Sequence, residues 1–130
     1  MTEQDIQAPY REAGRLLADL LKLQAAFIAD LKLIADDKTI NAKALGYVYG
    51  FADRALQIAK LDVLSPYGRG VLMFLIAEFD SANVDRLFDY LTDPANRSAF
   101  MDGVLIGADD YNGWASSRGT NTAIRWAACF

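Results

Sequence analysis

The first third of the chain places apolar residues at the spacing of an amphipathic helix. They recur every three or four positions, which is the period of one helix face. The stripe consists of Leu16, Leu20, Leu23, Phe27, Leu31 and Ile34, with Leu17, Leu21 and Ile28 beside it. Because proline suits the first position of a helix, the pattern predicts one long amphipathic helix of about 26 residues that begins at Pro9. So broad a stripe needs more than one neighbour to cover it, which favours a homodimer.

Start signals place two more helices in the middle of the chain. The polar stretch 35–39 ends the first helix, and either Thr39 or Asn41 can cap a second helix that runs to about residue 60. Ser65 followed by Pro66 predicts the start of a third helix, which ends near residue 79. We expect the apolar positions of the second helix in the core: Leu45, Val48, Ala52, Leu56 and Ala59.

Two further helices follow from the same kind of signal. Asp80 or Ser81 caps a fourth helix over residues 82–92. Asp93 as a cap and Pro94 as the first residue predict a fifth helix that reaches about residue 114.

The last residues, TAIRWAACF, are compatible with a helix or an edge strand, and their apolar content predicts that they pack against the rest of the chain. No strand pattern competes elsewhere. The sequence therefore predicts an all-α fold: one compact single-domain bundle of five or six helices over residues 1–130.

Two segments repeat the pattern Gly-x-x-x-Gly-x-x-Asp, namely GYVYGFAD at 46–53 and GVLIGADD at 103–110. Each residue turns a helix by about 100°, so the two glycines and the aspartate of each copy share one face. Interior glycines weaken a helix by about 1 kcal/mol each relative to alanine, and the close approach of another backbone would offset this loss. The residues concerned are Gly46, Gly50, Gly103 and Gly107, followed by Asp53 and Asp110.

Three arrangements would explain these glycine faces. The sequence does not decide between them, and a chance repeat is the fourth possibility. The two helices cross at their glycines inside one chain, or one face forms a homodimer contact, or the glycines line a pocket with Asp53 and Asp110 as its polar groups. If the helices run parallel, the two carboxylates approach each other and can hold a raised pKa or share a cation. If the helices run antiparallel, the carboxylates lie at opposite ends.

Charge is distributed unevenly along the chain. The net charge of −4 argues against binding nucleic acid through its phosphates. Residues 78–113 carry eight acids and two bases, whereas residues 114–130 carry two arginines and no acid. Such an acidic segment favours a basic partner, and its simpler interpretation is a solvated face.

Few side chains in the sequence are suited to catalysis or to binding a metal ion. The chain has no histidine, which excludes Ser-His-Asp and Cys-His catalysis and histidine-bound zinc. We interpret the single cysteine, Cys129, as buried or inert.

The segment SPYGRG at 65–70 can hold an anion at a helix start through Arg69 and its backbone N–H groups, and its simpler interpretation is a tight turn. Asp53, Asp110 and Arg69 remain as one possible polar site, and no metal or cofactor is expected.

The N-terminal residues MTEQDIQAPY lack the basic region and apolar run of a secretory signal. The most apolar run, VLMFLIA at 71–77, is far shorter than the roughly 20 residues that span a bilayer. A single cysteine forms no internal disulfide, which fits a reducing compartment. We therefore expect a cytoplasmic protein that does not bind membranes.

The eight residues GYVYGFAD are similar to a stretch of small bacterial helical immunity proteins. Those proteins are usually exported and disulfide-bonded, and we assign no family from this similarity. The sequence favours a non-enzymatic protein-interaction or regulatory module of bacterial or phage type, acting on a protein partner and as a homodimer. The alternatives are an acidic inhibitor or immunity-type protein that binds a basic target, and a small-ligand carrier or carboxylate-based enzyme.

Overall fold

The fold is built from helices, as a computed structural model of the protein shows. The structure describes residues 2–92, 98–120 and 125–130. Within them lie the helices α1 (Glu3–Ala25), α2 (Ala42–Ile58), α3 (Pro66–Asp80), α4 (Val84–Thr92) and α5 (Ser98–Ser116), a 3-10 turn at Ser81–Asn83 and a 3-10 tail helix at Arg125–Cys129. The all-α class predicted from the sequence is confirmed.

The first helix begins and ends earlier than predicted. Thr2 and Asp5 form a capping box, in which each side chain accepts a hydrogen bond from the other residue's backbone N–H. This cap starts α1 well before Pro9, which lies inside the helix rather than at its first position. Helix α1 ends at Ala25, so the prediction of a helix that continues for about 26 residues from Pro9 was wrong at both ends.

Residues 26–41 form the connection between α1 and α2, whereas the apolar spacing predicted helix over its first part, to about residue 34. The chain reverses there, with Lys38 in the left-handed region at φ 71, and an isolated antiparallel β-bridge joins Ile34 to Ile40. Leu33 is the buried residue of this loop. The apolar residues of the loop therefore cover the core without continuing the helix.

The buried face of α1 also differs from the predicted stripe. Leu17 and Leu21 are fully buried, whereas Leu16 is 41% exposed and Leu23 is 65% exposed. Phe27, in the turn after the helix, is 88% exposed. Both sides of this part of the helix are apolar, so the period of the pattern alone did not show which side faces the core.

The starts of α2 and α3 are confirmed. The Asn41 side chain accepts a hydrogen bond from the backbone N–H of Ala44 at the start of α2. The Ser65 hydroxyl accepts one from the N–H of Gly68, with Pro66 as the first residue of α3. Of the predicted core positions of α2, Ala59 is exposed and the other four are buried: Leu45, Val48, Ala52 and Leu56.

The later elements follow the predicted order. The 3-10 turn at 81–83 precedes α4, whose apolar side is anchored by the fully buried Leu87. The predicted cap and first residue of the fifth helix, Asp93 and Pro94, lie outside the described residues. In the described part of the tail, residues 125–129 form a short 3-10 helix, so of the two predicted structures the helix is the one observed there.

Helix α2 lies at the centre of the described structure and contacts α1, α3, α5 and the tail helix. Its inward residues are fully buried, including Tyr47 and Phe51. The tail helix contributes Trp126, which is also fully buried. The core therefore joins the middle of the chain to its last described residues.

Helices α2 and α5 cross with their backbones in contact. A Cβ atom built on any of the four repeated glycines would lie 2.0–2.1 Å from a carbonyl oxygen of the other helix, a distance that no side chain tolerates. The four contacts are Gly46 with Phe100, Gly50 with Val104, Gly103 with Lys43 and Gly107 with Tyr47. Only glycine fits at these positions.

The crossing has a local two-fold character. Gly46 meets the carbonyl of Phe100, three residues before Gly103, and Gly103 meets the carbonyl of Lys43, three residues before Gly46. The second glycine of each helix repeats this relationship. Earlier residues of α2 face earlier residues of α5, so the two helices run parallel. The sequence repeat thus corresponds to a repeated contact.

These contacts supply a physical reason for glycines inside two helices. Each carbonyl oxygen lies only 2.0–2.1 Å from where a Cβ would stand, on the side of a glycine Cα–H bond, and so close an approach is typical of Cα–H···O contacts. Such contacts are worth about 0.5–1 kcal/mol each, comparable to the roughly 1 kcal/mol of helix propensity lost per glycine. The side chains around the crossing add their own packing.

We expect Gly50→Ala to destabilise the protein by about 1–3 kcal/mol or more, because the new methyl group would overlap the Val104 carbonyl. Gly113 is the matched control: it lies in α5, and a Cβ there would meet nothing within 4 Å. Gly113→Ala should therefore stabilise by up to about 1 kcal/mol through helix propensity. Denaturant unfolding of the parent and both variants measures the difference, and equal midpoints for the two variants would contradict the crossing.

Candidate functional site

Asp110 lies in a buried hydrogen-bond network rather than in an open pocket. Its side chain is 8% exposed. Oδ2 accepts hydrogen bonds from the Tyr47 hydroxyl at 2.6 Å and from the backbone N–H of Arg125 at 2.9 Å. Oδ1 accepts a third from Nε of Arg125 at 2.6 Å. The carboxylate is therefore enclosed by partners from α2 and the tail helix.

Gln24 extends this network to α1. Its side-chain Nε2 donates to the Tyr47 hydroxyl at 2.8 Å, and its Oε1 accepts from the backbone N–H of Trp126 at 3.1 Å. The indole Nε1 of Trp126 donates to the carbonyl of Ala44 at 3.1 Å. We call the residues Gln24, Tyr47, Asp110, Arg125 and Trp126 the tail clamp, because together they join the tail helix to α1, α2 and α5.

Ring packing completes the tail clamp. The Trp126 ring stacks on Tyr47 with centroids 6.1 Å apart, and meets Phe79 of α3 edge-on at 4.9 Å. The sequence pattern did not indicate Arg125 as the partner of Asp110, nor Gln24 and Trp126 as further members of the tail clamp. One signal was present, since Gln24 is a polar residue among the leucines of α1, but its partner lies 102 residues away.

The surroundings of the tail clamp raise the pKa values of Tyr47 and Arg125. Burial, followed by the hydrogen bond to Asp110, raises the pKa of the Tyr47 hydroxyl far above its usual range, so Tyr47 stays a neutral donor. Hydrogen bonds to Asp110 and Asp109 raise the pKa of Arg125. Burial raises the pKa of the Cys129 thiol at the end of the tail helix. The arrangement can hold a segment of chain, and it leaves the Asp110 carboxylate no open side for a substrate.

The other two residues of the predicted polar site lie elsewhere. Asp53 accepts a hydrogen bond from Nε2 of Gln57 at 3.2 Å on the same helix, and burial raises its pKa. Arg69 is exposed in the first turn of α3. The described residues show no hydrogen bond or ion pair that joins Asp53, Asp110 and Arg69.

The carboxylate pair expected for parallel helices does not form. Helices α2 and α5 are parallel, but Asp110 turns to Tyr47 and Arg125. The raised pKa of Asp53 has burial as its main cause, and the nearby acid that adds to it is Asp62. The tail helix supplies the cation that pairs with Asp110, and the other carboxylate on this cation is that of Asp109, not that of Asp53.

The segment 65–70 is the N-cap and the first turn of α3. A Cβ on Gly68 would lie 2.2 Å from the carbonyl oxygen of Asp62, so glycine allows the loop to pass close to the helix. The Ser65 hydroxyl already accepts the N–H of Gly68. This cap uses one of the N–H groups that an anion would need.

A groove of about 400 Å³ lies between α1 and α3. Its walls are aromatic, formed by Tyr10, Tyr67 and Phe74, and its lining includes the arginines Arg11 and Arg15 of α1. The Tyr10 and Tyr67 rings lie 5.7 Å apart between centroids. The sequence pattern does not predict this groove, because the groove depends on how α1 and α3 lie side by side.

A second surface feature is the outward stripe of α1, which we define as Leu16, Leu20, Leu23 and Phe27. Positions 16, 20 and 23 share one helix face by their spacing, and Phe27 follows in the next turn. Three of the four side chains are exposed, and Leu20 is half-buried. These four residues belong to the broad apolar stripe that the sequence predicts for the first helix.

The acidic segment 78–113 is partly neutralised by folding. Lys22 of α1 pairs with Glu78 at 2.9 Å, and Arg125 pairs with both Asp109 and Asp110 at 2.5 and 2.6 Å. The exposed aspartates of the described part of this segment that have none of these ion pairs are Asp85, Asp89 and Asp102, and the side chain of Asp109 stays 74% exposed although it is paired. The acidic surface is therefore smaller than the sequence count suggests.

Comparison with known proteins adds no family to this description. The chain matches no protein-family model, no curated protein and no solved structure. In the described ranges no helix has the length and apolar character that crossing a membrane requires, and no three acidic or cysteine side chains are grouped so as to hold a metal ion.

Because of Tyr47, we expect the free energy of unfolding to decrease at alkaline pH. Its pKa is raised in the folded protein, so the folded state keeps a proton that the unfolded state loses above about pH 10. The contribution of Tyr47 is therefore complete below about pH 10 and decreases above it, by at most about 1.4 kcal/mol per pH unit.

Tyr47→Phe removes this titration, and it costs about 1–3 kcal/mol at neutral pH because Asp110 and Gln24 each lose a partner. The difference in unfolding free energy between parent and variant should be constant below about pH 10 and narrow above it. Denaturant titrations from about pH 8 to 11 measure this difference. Parallel profiles up to the highest pH would show that the Tyr47 hydroxyl is not held protonated by the fold.

Proposed function

We propose that this chain is a non-enzymatic protein-interaction module, of bacterial or phage type and cytoplasmic, whose contact surface is the outward stripe of α1. The observation that carries the proposal is the exposure of Leu16, Leu23 and Phe27 along one side of a helix and the turn after it. Apolar side chains grouped in this way mark interaction surfaces more often than scattered ones do.

The free energy available at this surface is substantial. Fully burying an exposed leucine or phenylalanine side chain contributes about 1.5–3 kcal/mol. Most of this is available at Leu23 and Phe27, which are 65% and 88% exposed, and the partly covered Leu16 and Leu20 add less. The polar residues beside them, Arg15, Asp19 and Lys22, carry both signs of charge. An apolar centre with a charged rim is the usual composition of a protein–protein interface.

A second copy of the chain is the occupant that we propose for this surface. Two identical helices that meet across a two-fold axis bury the same stripe on both sides, and two-fold dimers are the commonest soluble oligomers. A rim of mixed charge does not repel its own copy as a rim of one sign would. The proposal thus gives the broad apolar pattern of α1 its second neighbour.

A second candidate function is an acidic inhibitor or immunity-type protein that binds a basic target. It is favoured by the exposed carboxylates of Asp85 and Asp89, which lie four residues apart on α4, and of Asp102 on α5. The acidic surface available to such a target is reduced, because Glu78, Asp109 and Asp110 form ion pairs within the chain. Binding of this kind would weaken steeply with added salt, whereas contact through the outward stripe would not.

We expect Leu23→Glu to weaken self-association by about a hundredfold or more, because a carboxylate would be buried without a partner in the dimer. Leu105→Glu is the matched control, since Leu105 is also a helical leucine and is 66% exposed, against 65% for Leu23. Sedimentation velocity across a concentration series measures the association of the parent and both variants, with melting curves to show that each is folded.

The outcomes separate the parts of the proposal. A dimeric parent, a monomeric Leu23→Glu variant and a dimeric Leu105→Glu variant support it. A parent that stays monomeric at every concentration would show that the second copy is not the occupant. Equal loss of association in both variants would show that the outward stripe is not the contact surface.

A further inference from the structure

The groove between α1 and α3 has fixed walls. The hydroxyl of Tyr10 is bonded to the N–H of Asp62 at 3.2 Å and to the Ser65 hydroxyl at 3.3 Å. The Tyr67 hydroxyl donates to a carboxylate oxygen of Glu3 at 3.2 Å. Because these bonds hold the two hydroxyl groups, the rings stay in place and present apolar faces to the groove. A preorganised apolar site loses little entropy when a ligand binds.

Two glycines keep the groove open. Gly14 of α1 and Gly70 of α3 both line it. A Cβ on Gly14 would make ordinary contact with the Phe74 ring at 3.5 Å, and a Cβ on Gly70 would meet nothing within 4 Å. The space above Gly70 is therefore empty volume of the groove and not a site of close helix packing. The groove volume, about 400 Å³, is in the range of small-molecule sites.

The charges along the groove differ from one end to the other. Glu3 lies at the end near Tyr67 and is engaged by its hydroxyl. Further along α1, Arg11 donates to Gln7 at 2.9 Å, and the guanidinium of Arg15 has no ion pair with any described residue. Both arginines line the groove. An apolar groove with cations along one wall is complementary to a ligand that carries one negative charge on an apolar body.

We propose that the groove between α1 and α3 binds a small amphipathic monocarboxylate. Its apolar part lies against the rings of Tyr10, Tyr67 and Phe74, and its carboxylate pairs with Arg15 and with Arg11. Planar guanidinium groups match carboxylates in geometry as well as in charge. The Glu3 carboxylate at the opposite end repels the charged group of the ligand and so fixes the direction in which it enters.

Three probes with the same apolar body and different polar groups test the chemistry: octanoate, octanol and octylammonium. Isothermal titration of the parent gives each dissociation constant. We expect octanoate to bind about tenfold more tightly than octanol, the effect of one charge-assisted hydrogen bond, and octylammonium to bind most weakly. Amide NMR shifts of Gly14 and Gly70 should move on addition of octanoate.

Two pairs of variants test the location. Gly70→Leu fills the groove without a backbone clash, and Gly113→Leu makes the same change at another open helical position. The double variant Arg11→Gln, Arg15→Gln removes the charge, and Arg69→Gln removes an exposed arginine of α3 that does not line the groove. We expect Gly70→Leu to weaken octanoate binding about tenfold or more, and the double variant to bind octanoate no better than octanol. Both controls should bind as the parent does.

Each other outcome overturns the proposal. If the folded parent does not bind octanoate, the groove is not a binding site for a monocarboxylate. Equal affinity for octylammonium and octanoate shows non-specific adsorption, and equal loss in Gly70→Leu and Gly113→Leu places binding elsewhere. The proposal is independent of self-association through the outward stripe, because Leu23→Glu leaves the groove lining unchanged and should bind octanoate as the parent does.

Discussion

The structure depends on the contact between the carbonyl oxygens of α2 and α5 and the glycines of the opposite helix. At this contact a Cβ has no room, so the two helices meet at only one depth and in one register. Other packing in the core is between side chains, which can adjust by changing rotamer. Backbone atoms have no such freedom, and the position of α5 relative to α2 is therefore tightly determined.

This register determines where the tail helix is held. It brings the Tyr47 hydroxyl to Asp110, although the two residues are 63 positions apart in the sequence. The same carboxylate then accepts from both the backbone and the side chain of Arg125. With Gln24 on the other side of Tyr47, three helices and the tail share one set of hydrogen bonds. A carboxylate that looked like a candidate for chemistry thus has a structural role.

Local signals in the sequence were sufficient for much of the fold. The caps at Asn41 and Ser65 were recognisable because a cap depends on a few neighbouring residues. The outward side of α1 was not recognisable, because Leu16 and Leu17 both belong to apolar stripes and only the neighbouring helices decide which one is covered. Arg125 and the groove between α1 and α3 could not be found in this way, since both depend on contacts between distant segments.

The similarity between the glycine face of α2 and that of α5 has a consequence for how the two helices come together. Each face fits the backbone of the other through the same three-residue offset, so α2 also carries the features needed to fit a second α2. Before α5 docks, a newly made chain presents this face to its neighbours as well as to its own later residues. In the folded chain α5 covers this face of α2 and so withholds it from a second copy.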